Sequence, residues 1–391
     1  MIELTVSSKI KNLLAVIGIS LLPTLLVWLP FFLRIRSFWS IPIPQRGMET
    51  IVANYDGPLF LVVAKTFYNA TLIKPAFEFP LPVQYYASHF PAFPILIKIF
   101  SFILGYPYAM LFVTVASSIL AIYFFFKLAN LYLDEKNSLW LTLVFAVFPA
   151  RWLIVRSVGS AEPLFLASII ASIYFFNQKK YLWAGIWGAL AQITKSPAIL
   201  LFVAYSLYLI TPHLKKLTVS NFKNWFNQIN FKKIYPIFFI PLGLLIVFTV
   251  YAFTFKDFFA YFHSGDNIHL FFPPFQIFNY SAPWVGTFWL EEVIFVYLLG
   301  ALGLVKLAKH KMGAMAWFVG IFFTSTLFVA HRDIIRYSLP IIPFLYIAFA
   351  DIICKKEFRY VLAIIIIPIY LFSLAYISQN VMPISNWAPF L

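Results

Sequence analysis

The sequence predicts an all-α polytopic membrane protein, and three observations carry that prediction. Of the 391 residues, 62% are hydrophobic and only 11% charged, too little polar surface to solvate a globule of this size. Apolar stretches approaching the roughly 20 residues needed to cross a bilayer recur along the whole chain. Aromatic residues make up 20% of it and cluster with prolines between those stretches, as suits rings at the level of lipid headgroups.

Taken in order, the apolar stretches are Leu13–Leu33, Tyr106–Phe126, Ser138–Leu153, Glu162–Phe176, Leu182–Ile193, Ala198–Ile210, Ile234–Phe255, Glu292–Leu307, Gly313–Ala330, Ile334–Ile353 and Tyr360–Ser378. They predict about 11 transmembrane helices, because an isolated strand cannot satisfy its backbone in lipid. Met1 to Leu33 begins like a signal peptide, with Lys9 and Lys11 ahead of apolar residues. Its apolar run is too long for a signal, however, and Arg34 follows it instead of a small-residue cleavage site, so an uncleaved first span is expected.

Charge sets the expected orientation. Lys9/Lys11, Lys127/Lys136, Lys179/Lys180, Lys215 to Lys233, Lys306/Lys309/Lys311 and Lys355/Lys356/Arg359 all fall on one side if the spans stand. That side is cytoplasmic by the positive-inside rule, which places the N-terminus inside and the C-terminus outside. The net charge of +15 follows from the same rule and needs no nucleic-acid partner. Basic loops flank both ends of Leu182–Ile210, so that stretch must cross twice, with Thr194-Lys195-Ser196-Pro197 at the external tip. Pro94–Leu104, about 11 residues containing Lys98, reads as a helix lying at the interface. The expectation is one domain over residues 1–391. Within it, residues 34–105 form a first external loop with interfacial helices, and residues 256–291 form a second.

Absent motifs narrow the chemistry. There is no Walker A sequence, no GxGxxG, no HExxH and no DxD pair in a loop, hence no sign of ATP, a dinucleotide or a cytosolic nucleotide sugar. Cys354 is the single cysteine, so no internal disulfide can form.

Asp56, in Tyr55-Asp56-Gly57-Pro58, follows the first span. Turn geometry alone accounts for Asp-Gly-Pro, since Asp readily bonds nearby backbone. A carboxylate near the membrane surface is equally where an enzyme with a lipid-carried substrate would place its base. Glu162, in Ser160-Ala161-Glu162-Pro163, has the same two readings: a Ser cap with Glu in a helix's first turn, or an acidic catalytic group. Arg151 and Arg156 lie at the external end of one span, and His331, Arg332 and Arg336 at that of another. Such arginines often anchor to lipid phosphates, but several cations on the disfavoured side suggest an anionic guest, and Arg grips phosphate bidentately. No metal site is expected; His263-x-x-Asp266-x-x-His269 provides only weak candidates.

Several segments together resemble the membrane-embedded C-type glycosyltransferase superfamily, most closely its GPI mannosyltransferase 2-like group, which uses polyprenyl-phosphate mannose. They are Tyr55-Asp56-Gly57-Pro58-Leu59-Phe60, His89-Phe90-Pro91-Ala92-Phe93-Pro94-Ile95-Leu96, Phe148-Pro149-Ala150-Arg151, Ser160-Ala161-Glu162-Pro163-Leu164-Phe165, Leu190-Ala191-Gln192-Ile193-Thr194-Lys195-Ser196-Pro197 and Arg336-Tyr337-Ser338-Leu339-Pro340. The resemblance runs to about Ala350 and departs from the family in three places. Eukaryotic relatives have Trp-Asp where this chain has Tyr55-Asp56, Ala161 is inserted between the Ser and the Glu, and Lys195 stands where relatives carry Arg. Lys keeps the charge there but loses the bidentate fork.

The resemblance implies a C-type glycosyltransferase fold and a hexosyltransferase, expected to be a mannosyltransferase. It moves sugar from a polyprenyl (dolichyl) phosphate donor to a hydroxyl of a lipid- or glycan-linked acceptor. Asp56 becomes the base, with Glu162 as a second catalytic carboxylate. Arg332 and Arg336 hold the donor phosphate together with one or more of Arg151, Arg156 and Lys195. His89, His331 and Tyr337 join them as substrate-binding positions. No cofactor is required by this scheme, and a divalent metal stays open. The expected location is the plasma membrane in a prokaryote or the endoplasmic reticulum in a eukaryote, with an extracytoplasmic active site. A transporter or flippase of a lipid-linked saccharide is the alternative, and it would show paired mid-membrane charges and repeated halves that this sequence lacks.

Overall fold

A computed structural model describes residues 2–77, 79, 81–214, 231–265, 270–279, 281–282 and 288–391. The chain begins with a long helix α1 (Ile2–Phe32) and a two-stranded hairpin of β1 (Ser37–Phe38) and β2 (Ile41–Pro42). Short helices α2 (Met48–Val52), α3 (Gly57–Thr66) and α4 (Ala70–Ala76) follow, then α5 (Ala92–Leu104) and α6 (Tyr106–Ala129). Next come α7 (Glu135–Val147), α8 (Ala150–Val155), α9 (Glu162–Asn177), α10 (Tyr181–Thr194) and α11 (Ile199–Leu214). The remainder holds α12 (Phe239–Thr254), α13 (Ala260–His263), α14 (Glu292–Lys309), α15 (Gly313–Thr326), α16 (Ile334–Ser338), α17 (Ile342–Ala348) and α18 (Lys356–Gln379).

Among the described residues, 4 helical segments are long and apolar enough to cross a membrane: Ile10–Phe32, Tyr106–Ala129, Phe231–Thr254 and Lys356–Gln379. Leu14, Leu22 and Ile364 stand 60–70% exposed on α1 and α18, apolar surface that water would not tolerate and lipid does. The chain is an all-α membrane protein. Several stretches expected to cross as single helices are broken instead, each where proline or backbone geometry interrupts the ladder. Ser138–Leu153 divides at Phe148-Pro149 into α7 and α8, because Pro149 lacks the N–H that a continuous helix needs. Ile334–Ile353 breaks at Leu339-Pro340 and again at Phe349. The break expected at Thr194-Lys195-Ser196-Pro197 is present, with Lys195 in extended conformation between α10 and the next helical turn.

Two compact units emerge. The first comprises Met1–Ala167, Val247–Gly265 and Ala350–Leu391. Helix α6 is its hub, two-thirds buried over its apolar window, whereas α1 and α18 are only 28% buried. The buried face of α6 carries small and hydroxyl residues, Ala109, Thr114, Ser117, Ser118 and Ala121, which let α1, α5 and α7 approach closely. Arg156 is a buried polar tie in this unit. Its guanidinium is fully buried and donates to the Ala146 carbonyl at 2.6 Å and to the carbonyl and hydroxyl of Ser20, joining α8 to α7 and α1. Arg156→Met is expected to lower the thermal midpoint in detergent sharply, because each orphaned buried acceptor costs about 1–3 kcal/mol. An unchanged midpoint would show that the acceptors find other donors.

The second unit comprises Ser168–Ile246 and Asp266–Phe349. Here Ser172 donates to the Ala184 carbonyl at 2.7 Å and meets the Tyr205 hydroxyl at 2.9 Å, while Phe176 stacks on Tyr205 at 3.9 Å. Gly185 and Gly188 let α10 press against Pro236 and Ile240, where a Cβ would collide. Helices α14 and α15 close in the same way at Gly300 against Phe323.

Candidate active site

Asp56 occupies the residue before the first helical position of α3, on a loop held from both sides. Asn54, fully buried, donates through Nδ2 to the Ile377 carbonyl at 2.7 Å and accepts through Oδ1 from Asn380 Nδ2 at 3.3 Å. The Met382 amide donates to the Ala53 carbonyl at 2.8 Å, so Asn54 and Val381 form an antiparallel bridge. The end of α18 therefore clamps the backbone two residues ahead of Asp56.

Tyr55 adopts a left-handed backbone with φ of 50°, a conformation costing a non-glycine residue about 1–2 kcal/mol. Its surroundings compensate that strain. The Tyr55 ring stacks on Tyr376 at 5.5 Å, and its hydroxyl accepts a hydrogen bond from Arg151 Nη1 at 2.7 Å. The Arg151 guanidinium in turn lies 4.1 Å over the Tyr376 ring, a cation–π contact worth about 0.5–2 kcal/mol. Arg151, expected to hold phosphate, thus also braces the loop that carries Asp56.

Beyond Asp56 the chain turns into α3 through Gly57 and Pro58. Proline suits a helix's first turn, and glycine is required here because a Cβ would meet the Val52 carbonyl. The Asp56 carbonyl accepts from Phe60 N at 3.0 Å, while its carboxylate makes no capping bond to the helix. Asp56 stays partly exposed. A negative side chain is electrostatically favoured at this end of a helix.

The same glycine brings the second acidic motif alongside. A Cβ on Gly57 would come within 3.4 Å of the Gly159 carbonyl, and Met110 of α6 fills the space beside both glycines. Three residues after Gly159, Glu162 opens α9 and is 4% exposed. The Ser160 hydroxyl donates to its Oε2 and accepts from its backbone N–H at 3.3 Å, the capping arrangement that the Ser-Ala-Glu-Pro spacing anticipates. His89 is likewise buried, 4% exposed, edge-on to Phe60 of α3 at 4.9 Å and beside Ser88 Oγ at 2.9 Å from Nδ1. Arg156, expected among the phosphate-holding cations, is the residue locked among carbonyls described above.

The remaining expected cations belong to the second unit. Lys195 sits at the break after α10, half-buried. His331, Arg332, Arg336 and Tyr337 occupy one short stretch around α16. His331 Nδ1 accepts from Asp333 N at 3.0 Å, which leaves Nε2 to carry the proton of a neutral ring. Its ring meets Tyr337 edge-on at 5.1 Å. Beneath them Ile277, Val293, Val329 and Ile334 form a compact apolar cluster against which Tyr337 packs. Arg332 is exposed and Arg336 partly so.

Among the described residues no three His, Cys, Asp or Glu side chains gather as metal ligands. His263 Nδ1 pairs with Asp257 Oδ2 at 2.6 Å, and that hydrogen bond holds the Asp257 carboxyl below the usual carboxylate range. Asp266 and His269 lie outside the described residues. What sequence reasoning missed is the contribution of α18 and the segment after it: Tyr376, Asn380 and Trp387, the last donating from Nε1 to Glu49 at 2.8 Å.

No family model and no curated protein matches this chain. Solved structures do. ArnT from Cupriavidus metallidurans bound to undecaprenyl phosphate superposes with a TM-score of 0.55 at 11% identity, over 91% of this chain and 76% of that one. The oligosaccharyltransferase of Archaeoglobus fulgidus in complex with zinc and sulfate gives 0.51 at 14% identity, over 94% and 54%. The archaeal oligosaccharyltransferase AglB of the same organism, with an inhibitory peptide and dolichol-phosphate, gives 0.51 at 13%, over 95% and 57%. The chain therefore spans little more than half the length of the oligosaccharyltransferases. At such identities the likeness is one of architecture: the chain shares its fold with ArnT and with the archaeal oligosaccharyltransferase.

Proposed function

We propose that the protein transfers a sugar, expected to be mannose, from a polyprenyl-phosphate donor to a hydroxyl of a lipid- or glycan-linked acceptor, with Asp56 as general base. The observation that carries the reading is the fixed loop: a partly exposed carboxylate on a backbone clamped by Asn54 and braced by Tyr55, Arg151 and Tyr376. Long-range ties of this kind hold a reacting group in place, and general bases depend on such positioning. The likeness to structures that contain undecaprenyl phosphate and dolichol-phosphate supports a lipid-phosphate donor. The GPI mannosyltransferase 2-like group and an extracytoplasmic site, with the N-terminus cytoplasmic, are the finer parts of the same proposal.

In this scheme the acceptor oxygen attacks the anomeric carbon while its proton passes to an Asp56 carboxylate oxygen. The bond from that carbon to the phosphate oxygen breaks, and its electron pair leaves on the polyprenyl phosphate. Cations next to the phosphate favour that departure. The resemblance carried by Arg336-Tyr337-Ser338-Leu339-Pro340 is what assigns that part to Arg332 and Arg336. Glu162, buried and bonded to Ser160, acts as a positioning residue for the start of α9.

Purified protein in lipid, given radiolabelled polyprenyl-phosphate mannose and membrane acceptors, should label an acceptor. Failure to label any acceptor, with the donor still bound, would favour a transporter of lipid-linked saccharide. Arg336→Ala should weaken donor binding by about tenfold, the order expected for one charge-assisted contact. Unchanged donor affinity would place the phosphate elsewhere.

A further inference from the structure

A cavity of about 380 Å³ opens in the first unit between Arg46, the end of α4 and the segment after α18. Its size lies within the range of roughly 300–1,000 Å³ typical of small-molecule sites. Phe79 and Phe390 supply flat apolar walls, their rings edge-on at 5.9 Å, and Pro383 and Pro389 extend that surface. Phe390 is itself 3% exposed and locked by Phe77 at 5.1 Å and Trp387 at 5.5 Å, so the wall is rigid.

Polar groups stand on the rim. The Arg46 side chain is 56% exposed, with a single nitrogen 3.4 Å from Glu49 Oε1, which leaves further guanidinium donors available. Asn386 accepts from Ala388 N at 3.0 Å through Oδ1 and retains its amide donors. The guest this lining suits is neutral. Glu49 lies against the one lining cation and would repel a phosphate, while Arg46 and Asn386 would be poorly matched by a bare acyl chain. A sugar ring presents both what the walls take, C–H faces, and what the rim takes, hydroxyls.

The cavity is also joined to the base. Glu49 belongs to α2, which runs into Asn54 and Asp56, and it accepts from Trp387, which lies five residues after Met382 in the Val381–Met382 segment paired with Ala53 and Asn54. We infer that this cavity is a carbohydrate subsite for the glycan part of the acceptor, an inference that rests on the transferase reading for the acceptor's role.

The test uses the full chain in lipid nanodiscs, without donor. It is titrated with methyl glycosides of mannose, glucose, galactose and N-acetylglucosamine and with their disaccharides, and binding is read by saturation-transfer NMR. Wild type should bind at least one of these probes. Ala76→Trp, which fills the cavity from an exposed position, and Arg46→Gln should each weaken that binding by about tenfold, while Asp56→Asn leaves it intact. No binding by wild type, equal binding by both cavity variants, or displacement of the glycoside by inorganic phosphate would overturn the inference. The two readings fail separately. Transfer with an unchanged acceptor KM in Ala76→Trp would remove the subsite and keep the transferase. Glycoside binding lost in Ala76→Trp, with no transfer by wild type, would keep the subsite and remove the transferase.

Discussion

Asp56→Asn is expected to lower sugar transfer by roughly 10²- to 10⁴-fold, the usual contribution of a positioned general base. Asn fills the same volume but cannot accept the acceptor's proton. The loop should survive the exchange, because its hold comes from Asn54, Tyr55 and Arg151, and the bond from Phe60 N reaches the Asp56 main-chain carbonyl, which the exchange leaves in place. Donor affinity and thermal midpoint should therefore stay close to wild type, so that the loss appears in kcat. Steady-state transfer rates beside a direct donor-binding measurement check this. Retained kcat would remove Asp56 as the base, and lost donor binding would make it a binding residue.

Tyr376→Leu should lower kcat by about tenfold with little change in either KM, since the contacts removed sum to about 1–2 kcal/mol. The ring of Tyr376 supports two groups at once, Tyr55 by stacking and Arg151 by cation–π contact. Without it, the left-handed backbone at Tyr55 loses the contacts that offset its strain, and the adjoining Asp56 moves with it. Tyr376→Phe keeps the ring and should restore most of the rate, because neither contact of the brace needs the Tyr376 hydroxyl. Equal losses in the Leu and Phe variants would assign the hydroxyl a role of its own.

Much of the first unit's site was legible from local sequence. An Asp-Gly-Pro run both marks a turn and opens a helix, and α3 does begin at Gly57. Ser160-Ala161-Glu162 carries its capping geometry in its spacing, and the structure shows that cap. The helix break at Lys195 followed from the parity of basic loops. Other residues could not be read in this way. Arg156 and Arg151 stand five positions apart in similar apolar surroundings, yet one is sealed among carbonyls and the other braces an aromatic pair. Only tertiary packing separates them. The clamp from α18 joins residues more than 300 positions apart, at Asn54 and Ile377, and lies past the point where the motif resemblance ends. No periodicity or local motif encodes such a pairing. The expected count of about 11 spans is not confirmed: 4 helical segments among the described residues are long and apolar enough to cross, and hydropathy is blind to breaks such as those at Pro149 and Pro340.

The central claim is that Asp56 is the base and that α18 acts through it. A double-mutant cycle on the transfer rate, using Asp56→Asn, Tyr376→Leu and the pair together, tests that claim most directly. If the claim holds, the double variant is no slower than Asp56→Asn alone, because a brace has nothing left to position once the base is gone. Losses that multiply in full would contradict it and would show that Tyr376 serves the protein by another route.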